Sequence, residues 1–328
     1  MNYRSVADLN ETIINSLSLI PRDVDLLVGI PRSGMLAANL LALHLNLPVI
    51  DLEGFIEGRR LGCGVRGERR GLQQSTDSVT KTLVLDDSVL SGATIRAARQ
   101  RLADTQRDCE VLYGAVYAAP EATAEVDLYF EEVLVPRVFE WNLMHGGMLQ
   151  HACVDIDGVL CVDPTEQEND DGPKYRQFIE HAKPLLLPTT HLGWLVTCRL
   201  EKYRDLTTQW LARHGVRYER LYMMDLPNKA ARLASGSHGS FKARIYRSTK
   251  AMLFVESSQR QAVEIARLSG KPVLSMETRQ MLYPPLLAHI PELAYRAPGR
   301  ARAAVRRIRR SIGRQLFGFD PAPAQRVG

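Results

Sequence analysis

The stretch Lys81-Thr82-Leu83-Val84-Leu85-Asp86-Asp87-Ser88-Val89-Leu90-Ser91-Gly92-Ala93-Thr94 decides how the front of the chain is read. Its apolar run, Lys81 to Leu85 with Thr82 inside it, has the length of a buried strand and ends in two adjacent acids. Neighbouring carboxylates repel each other and do nothing for a fold by themselves. They suit the vicinal hydroxyls of a ribose. The loop that follows, Ser88 to Thr94, carries Ser91, Gly92 and Thr94, and a helix from Ile95 to Leu102 turns its positive end toward it. Gly92 permits close approach of backbone to a phosphate. This is how an open α/β sheet presents chemistry at the carboxyl ends of its strands.

Working outward, Leu26 to Ile30 is a second short strand pattern, broken by Pro31. Arg32-Ser33-Gly34 then opens a helix through Leu36, Leu40, Leu41 and Leu45. Free N–H groups at a helix start favour an anion and Arg32 adds charge; a plain turn is the other reading. Between the two loops lies Glu57 to Thr80, with Arg59, Arg60, Gly62, Gly64, Arg66, Gly67, Arg69, Arg70 and Gly71. A polar segment this long is either a lid or a solvated charge run. Tyr113 to Ala118 and Leu128 to Val135 are two further strand patterns, followed by Pro136 to Trp141.

The order and spacing of these loops resemble the phosphoribosyl pyrophosphate (PRPP) signature of type I phosphoribosyltransferases, over roughly residues 1 to 148. The resemblance implies that Asp86 and Asp87 hold the ribose 2- and 3-hydroxyls. Ser88, Val89, Leu90, Ser91, Gly92, Ala93 and Thr94 would cradle the 5-phosphate. Ile30 to Gly34 would hold pyrophosphate, Arg32, Ser33 and Gly34 among the contacts, with lid arginines neutralising the leaving group. The implied reaction passes through an oxocarbenium-like state, so the protein orients the reactants and, with Mg²⁺, absorbs charge on pyrophosphate. Attack opposite the departing α-pyrophosphate gives a β-linked ribosyl 5-phosphate. Trp141 is open to two readings, a platform for a nucleobase or a buried tryptophan at a domain junction.

A second acidic motif, Cys153-Val154-Asp155-Ile156-Asp157-Gly158-Val159-Leu160, follows. Its carboxylates alternate just past a strand, so both can face one pocket while Gly158 turns the chain away. One acid as nucleophile beside another as general acid is the logic of an aspartyl-phosphate. The motif resembles the first motif of haloacid dehalogenase (HAD) superfamily phosphatases. Thr197, ending a strand at Leu195-Val196-Thr197, would then bond the transferring phosphoryl group, and Arg199 to Leu211 resembles the helix that follows it in phosphatases related to polynucleotide kinase phosphatase domains. Lys242 fits the lysine that neutralises phosphate and nucleophile, with Lys250 the alternative. Asp155, the backbone carbonyl of Asp157, and Glu256 would hold Mg²⁺. Ser257 departs from the pattern, since many relatives carry a second acid there. Only about 40 residues separate Asp157 from Thr197, a polar flap (Asp163 to Gly172) and one helix, which leaves no room for a cap domain. An uncapped pocket admits a phosphate protruding from something large.

The 328 residues exceed what one core usually fills, and 45% hydrophobic with 24% charged residues is ordinary for a globular protein. From Arg296 to the end there are nine Arg and one Asp, so the net charge of +5 leaves residues 1–295 at about −3. A nucleic-acid-binding body is therefore not expected. Val305, Ile308, Ile312 and Leu316 fall at helical spacing among Arg302, Arg306, Arg307, Arg309, Arg310 and Arg314. That is the pattern of a basic amphipathic helix on an anionic membrane surface, with nucleic acid, an acidic partner or plain solvation as rivals. Cys63, Cys109, Cys153, Cys161 and Cys198 form no CxxC pair and read as reduced thiols. No segment reads as a signal peptide or spanning helix, so a cytoplasmic location is expected, with peripheral contact on the inner face of the membrane through the tail as a variant.

The expected class is α/β, with two doubly wound Rossmann-like domains of mainly parallel sheets, 1–148 and 149–280, and a linker and basic tail over 281–328. Donor site followed by phosphatase implies a bifunctional enzyme that leaves plain ribose on its acceptor. A lipid-linked glycan suits the uncapped pocket and the tail. The alternatives are nucleobase salvage coupled to nucleoside release, and a PRPP-sensing module without turnover. The sequence leaves oligomeric state open, a homo-oligomer included.

Overall fold

Leu26 and Val28 face one apolar core and Leu27 the other; Val84 and its neighbours Leu83 and Leu85 divide in the same way. This alternation on strands buried along their length is what a sheet covered on both faces requires. It explains why both runs read as continuously apolar. The computed structural model describes residues 1–59, 61, 79–105 and 108–284. The chain divides into two compact units, Asn2–Trp141 and Asn142 onward with Met1, where the sequence places the seam at 148–149.

The front unit runs β1 (Asn2–Arg4), α1 (Val6–Asn15), β2 (Leu26–Gly29), α2 (Ser33–Leu45), β3 (Val49–Asp51), α3 (Leu52–Ile56), β4 (Lys81–Val89), α4 (Ala93–Ala103), β5 (Glu110–Ala118), β6 (Leu128–Glu132) and β7 (Arg137–Phe139). Five strands form a wholly parallel sheet in the order β3-β2-β4-β5-β6. Residues of α1 and α2 fill the core on one face, and residues of α3 and α4 the core on the other. A separate parallel pair, β1 with β7, brings the segment before Trp141 beside the N-terminus.

The rear unit continues with β8 (Ala152–Val154), α5 (Pro173–His181), β9 (Leu192–Leu200), α6 (Arg204–Arg213), β10 (Tyr218–Met224), α7 (Lys229–Ala234), α8 (His238–Ser248), β11 (Leu253–Glu256), α9 (Gln259–Ser269), β12 (Val273–Ser275) and β13 (Gln280–Leu282). Its sheet order is β10-β9-β8-β11-β12-β13, parallel except for the antiparallel edge strand β13. That strand crosses the boundary expected at 280. The helix expected in the arginine-rich tail and most of the Gly/Arg-rich segment lie outside the described residues. Among the described residues no helix is long and apolar enough to cross a membrane.

Two strands outrun their expected ends. β4 does not stop at Leu85: β2 ends beside it, with Gly29 opposite Leu85, but β5 continues alongside and pairs Asp86 with Ala115, Ser88 with Tyr117 and Val89 with Ala118. The ladder on that side carries the acids inside the strand. The helix then starts at Ala93 rather than Ile95, which leaves Leu90–Gly92 as the turn. Likewise β9 runs past Thr197 to Leu200, so Arg199 belongs to a strand and not to the helix after it.

Candidate active sites

In the front unit the sheet order reverses between β2 and β4, since β2 leads outward to β3 and β4 leads the other way to β5. Ligands of open α/β sheets bind at such a switch point. Because β2 ends at Gly29 while β4 continues, Asp86 and Asp87 lie just past the end of β2, and Ile30 N–H donates to Leu85 O at 3.0 Å. A Cβ on Gly34 would fall 2.7 Å from Leu85 O, so only glycine lets the start of α2 lie against β4. The two predicted loops are thereby brought together.

Asp86 and Asp87 are 8% and 3% exposed. Burial first, then the charge of Asp87, pushes the Asp86 carboxyl up to about 8. Asp87 accepts at both oxygens: from Ser33 Oγ at 2.7 Å on Oδ1, and from Trp141 Nε1 at 2.7 Å on Oδ2. Its own N–H donates to Asp86 Oδ1 at 2.9 Å. The Trp141 ring stacks on Phe139 (centroids 5.0 Å apart), which stacks on Tyr117 (5.3 Å). Arg137 lies over Phe139 and donates from Nη2 to Val89 O at 3.0 Å, while its Nη1 is buried without a partner. Burial lowers its pKa against the pull of Asp87.

Arg32 stands exposed at the start of α2, where its side chain makes no capping bond. Ser88 is half-buried and Val89 buried within β4, and Leu90, Ser91, Ala93 and Thr94 are exposed around the turn. Gly92 has φ +74°, and a Cβ there would fall 2.4–2.6 Å from the Glu125 side chain, which pairs with Arg96 at 2.5 Å. The group crowding Gly92 is thus a carboxylate. The bonds to Asp87 from Ser33 and Trp141, each across 54 residues, had no signal in local spacing.

In the rear unit, Asp155 follows β8, Glu256 ends β11, and Lys242 projects from α8 between them. Lys242 Nζ donates to Asp155 Oδ2 (2.6 Å), Glu256 Oε2 (2.7 Å) and Gln261 Oε1 (3.0 Å). Lysine and both carboxylates are buried, and the two carboxylates raise the lysine pKa and hold it protonated. Asp157 has a different partner: the fully buried Arg199 clasps its carboxylate, Nη2 to Oδ1 at 2.6 Å and Nε to Oδ2 at 3.1 Å. The expectation that both acids of the motif face one pocket did not include this tether, which leaves Asp157 in the same cavity as Asp155 but paired to Arg199. The signal available in the sequence was a cation, Arg199, two residues past Thr197.

Asp155, Asp157, Thr197 and Lys242 line one cavity of about 200 Å³ together with Asp163, Arg199, Arg232 and His238. Asp163, expected only as the start of a flap, enters that wall, and burial followed by Asp157 raises its carboxyl pKa. Gly158 has φ +74° and a Cβ there would meet Ser257 and Asp163 within 2.9 Å, so the turn must be glycine. Ser257, in the place of the missing acid, donates to Glu256 Oε1 at 3.2 Å. Burial pushes the Cys153 and Cys198 thiols up to about 12, which leaves them inert packing groups. Among the described residues no three His, Cys, Asp or Glu side chains are arranged to hold a metal ion.

No family model matches the chain. In its N-terminal part, 115 residues are 30% identical to xanthine-guanine phosphoribosyltransferase of Chromohalobacter salexigens, which is 35% of this chain and 65% of that enzyme. The chain thus spans just under two thirds of the length of this relative. Among solved structures it is similar to the Helicobacter pylori xanthine-guanine-hypoxanthine phosphoribosyltransferase, at 18% identity and TM-score 0.33 over 43% of this chain and 92% of that one. It is also similar to orotate phosphoribosyltransferase from Aeropyrum pernix, at 14% identity and TM-score 0.27 over 38% and 70%.

Proposed function

We propose that the front unit transfers 5-phosphoribosyl from PRPP to an acceptor with release of pyrophosphate, and that the rear unit hydrolyses the 5-phosphate so installed. The observation that carries the first half is the buried Asp86–Asp87 pair at the switch point, tied through Ser33 to the start of α2. A carboxylate has about four lone-pair sites, so Asp87 can accept a ribose hydroxyl beyond its two present donors. Asp86, whose proton is held by burial, becomes a good acceptor once a bound hydroxyl or cation favours its ionised form. Exposed Arg32 and the N–H groups at the start of α2 suit the leaving pyrophosphate.

For the second half, the nucleophile role falls to Asp155, activated and held by Lys242, with Thr197 in the same cavity to orient the phosphoryl group. Arg199 fixes Asp157 beside it. Magnesium is a hard cation that takes oxygen ligands, and Asp155, the Asp157 carbonyl and Glu256 are of that chemistry. When bound it would supply charge neutralisation at the phosphoryl oxygens. Each of Asp155 and Glu256 keeps one oxygen off Lys242, on local donors instead: Asp155 Oδ1 takes Ile156 N–H at 2.8 Å, and Glu256 Oε1 takes Ser257 Oγ and Ser258 N–H at 3.2 Å.

The acceptor we favour is a lipid-linked glycan receiving β-ribofuranose at the inner face of the membrane. Following one activity by the other yields plain ribose, which undoes the value of making a nucleotide. A purine base is the second reading, favoured by the identity to a xanthine-guanine enzyme. Pyrophosphate release from PRPP, assayed with Mg²⁺ and either lipid-linked glycan extracts or guanine and xanthine, separates them. Release with neither acceptor contradicts the first half.

A further inference from the structure

We propose that Arg232 is the residue that binds the phosphoryl anion in the rear cavity, an assignment that rests on the phosphomonoester-hydrolase reading of that site. Three permanently cationic side chains line the cavity, and two are already committed. An ammonium has three donors, and Lys242 spends all three on Asp155, Glu256 and Gln261. Arg199 places Nε and Nη2 on Asp157, with Nη2 also 3.3 Å from Cys161 Sγ, and Nη1 on Thr207 Oγ1 at 3.4 Å. Both cations are already taken up by the protein itself.

Arg232 differs. It is 6% exposed, and among the described residues no carboxylate lies within ion-pair distance of it. Its guanidinium is held only by neutral groups: Nη1 donates to Cys198 O and Nη2 to Asn169 Oδ1, both at 3.3 Å, with the Tyr175 hydroxyl alongside, and its Nε–H is buried without a partner. A buried cation with neither counter-charge nor full hydrogen bonding is costly, and such exceptions ask for an explanation. A bound anion supplies both missing elements. The anchor on Cys198 O sets the guanidinium one residue from Thr197, the hydroxyl assigned to the same phosphoryl group. His238, also in the wall, has its pKa lowered by burial and then by Arg232 and Lys242, as expected where positive charge awaits an anion. The cavity, about 200 Å³, has room for a phosphoryl group.

The test uses the full chain with Mg²⁺ and two probes, orthovanadate and inorganic phosphate, titrated calorimetrically against wild type, Arg232→Gln, Arg232→Lys and Arg232→Ala. Loss of a charged donor should weaken vanadate binding about tenfold to a hundredfold in Arg232→Gln. Arg232→Lys should fall between Gln and wild type, and low-millimolar guanidinium should restore part of the binding of Arg232→Ala. A folded Arg232→Gln that binds vanadate like wild type overturns the assignment. Should the neutral variants fail to fold, Arg232→Lys decides: weaker binding supports the role and wild-type affinity contradicts it. If wild type itself binds neither probe and hydrolyses no phosphomonoester, the hydrolase reading of the cavity has failed first and takes Arg232 with it.

Discussion

Trp141 donates its indole N–H to Asp87 at 2.7 Å, on the oxygen opposite the one that takes the Ser33 hydroxyl. A buried carboxylate of the proposed donor site is thereby positioned by the segment that follows β7 as well as by the start of α2. Neither a base platform nor a junction tryptophan implies that link.

Trp141→Phe keeps an aromatic ring to stack on Phe139 but removes the donor. A hydrogen bond to a charged group is worth about 1.5–3 kcal/mol, so the KM for PRPP should rise about tenfold or more. Steady-state pyrophosphate release measures it. Unchanged kinetics would show that the tie to Asp87 has no part in donor binding.

The proposed role of Asp86 should make donor binding depend on pH. Its folded-state pKa, pushed up to about 8, exceeds the ordinary carboxylate value near 4, so the folded chain binds more protons than the unfolded one between those limits. Stability therefore falls as pH rises from about 4 to about 8. Asp86→Asn should flatten that fall and stabilise the front unit at pH 8 by on the order of 1–2 kcal/mol, a gain typical of relieving a strained functional site. PRPP binding at pH 7 should release a proton, seen as a binding enthalpy that depends on buffer ionisation. A buffer-independent enthalpy would count against Asp86 as a ribose ligand.

Lys242 and Asp155 should respond unequally to neutralisation. Lys242→Met leaves Asp155 and Glu256 as buried like charges with no cation, a loss of about 3–5 kcal/mol, visible as a lower melting transition. Asp155→Asn leaves Lys242 paired with Glu256 and should cost much less while abolishing phosphate release. Equal destabilisation by the two would mean that Lys242 does not bridge the pair.

Gly92→Ala should destabilise the front unit by about 1–3 kcal/mol, because φ +74° strains any side chain and Glu125 occupies the space. Adding Glu125→Ala should recover the steric part only. Full recovery would assign the whole cost to crowding.

Features that depend on local order are legible in the sequence. The apolar runs at β2, β4, β8 and β11, and the acids Asp86, Asp87, Asp155 and Glu256 that follow the last three runs, require only short patterns, and the helix through Leu36 and Leu45 declares itself by its spacing. Features that depend on strand pairing are not. Nothing in Lys81 to Val89 says that β5 will extend its ladder four residues beyond β2, and Arg199, two residues past Thr197, is visible as a nearby cation while the strand length that lets it clasp Asp157 is not. Arg232 sits on a six-residue helix of ordinary composition, and only the fold reveals that it is buried without a counter-charge.

The most direct test of the two-step reaction is the mass of the acceptor product made from PRPP and Mg²⁺ by the full chain and by its Asp155→Asn variant. The acceptor should be heavier by ribose in the first case and by ribose 5-phosphate in the second, with equal pyrophosphate release. Identical products from both, or PRPP left unconsumed across glycan and purine acceptors, would contradict it.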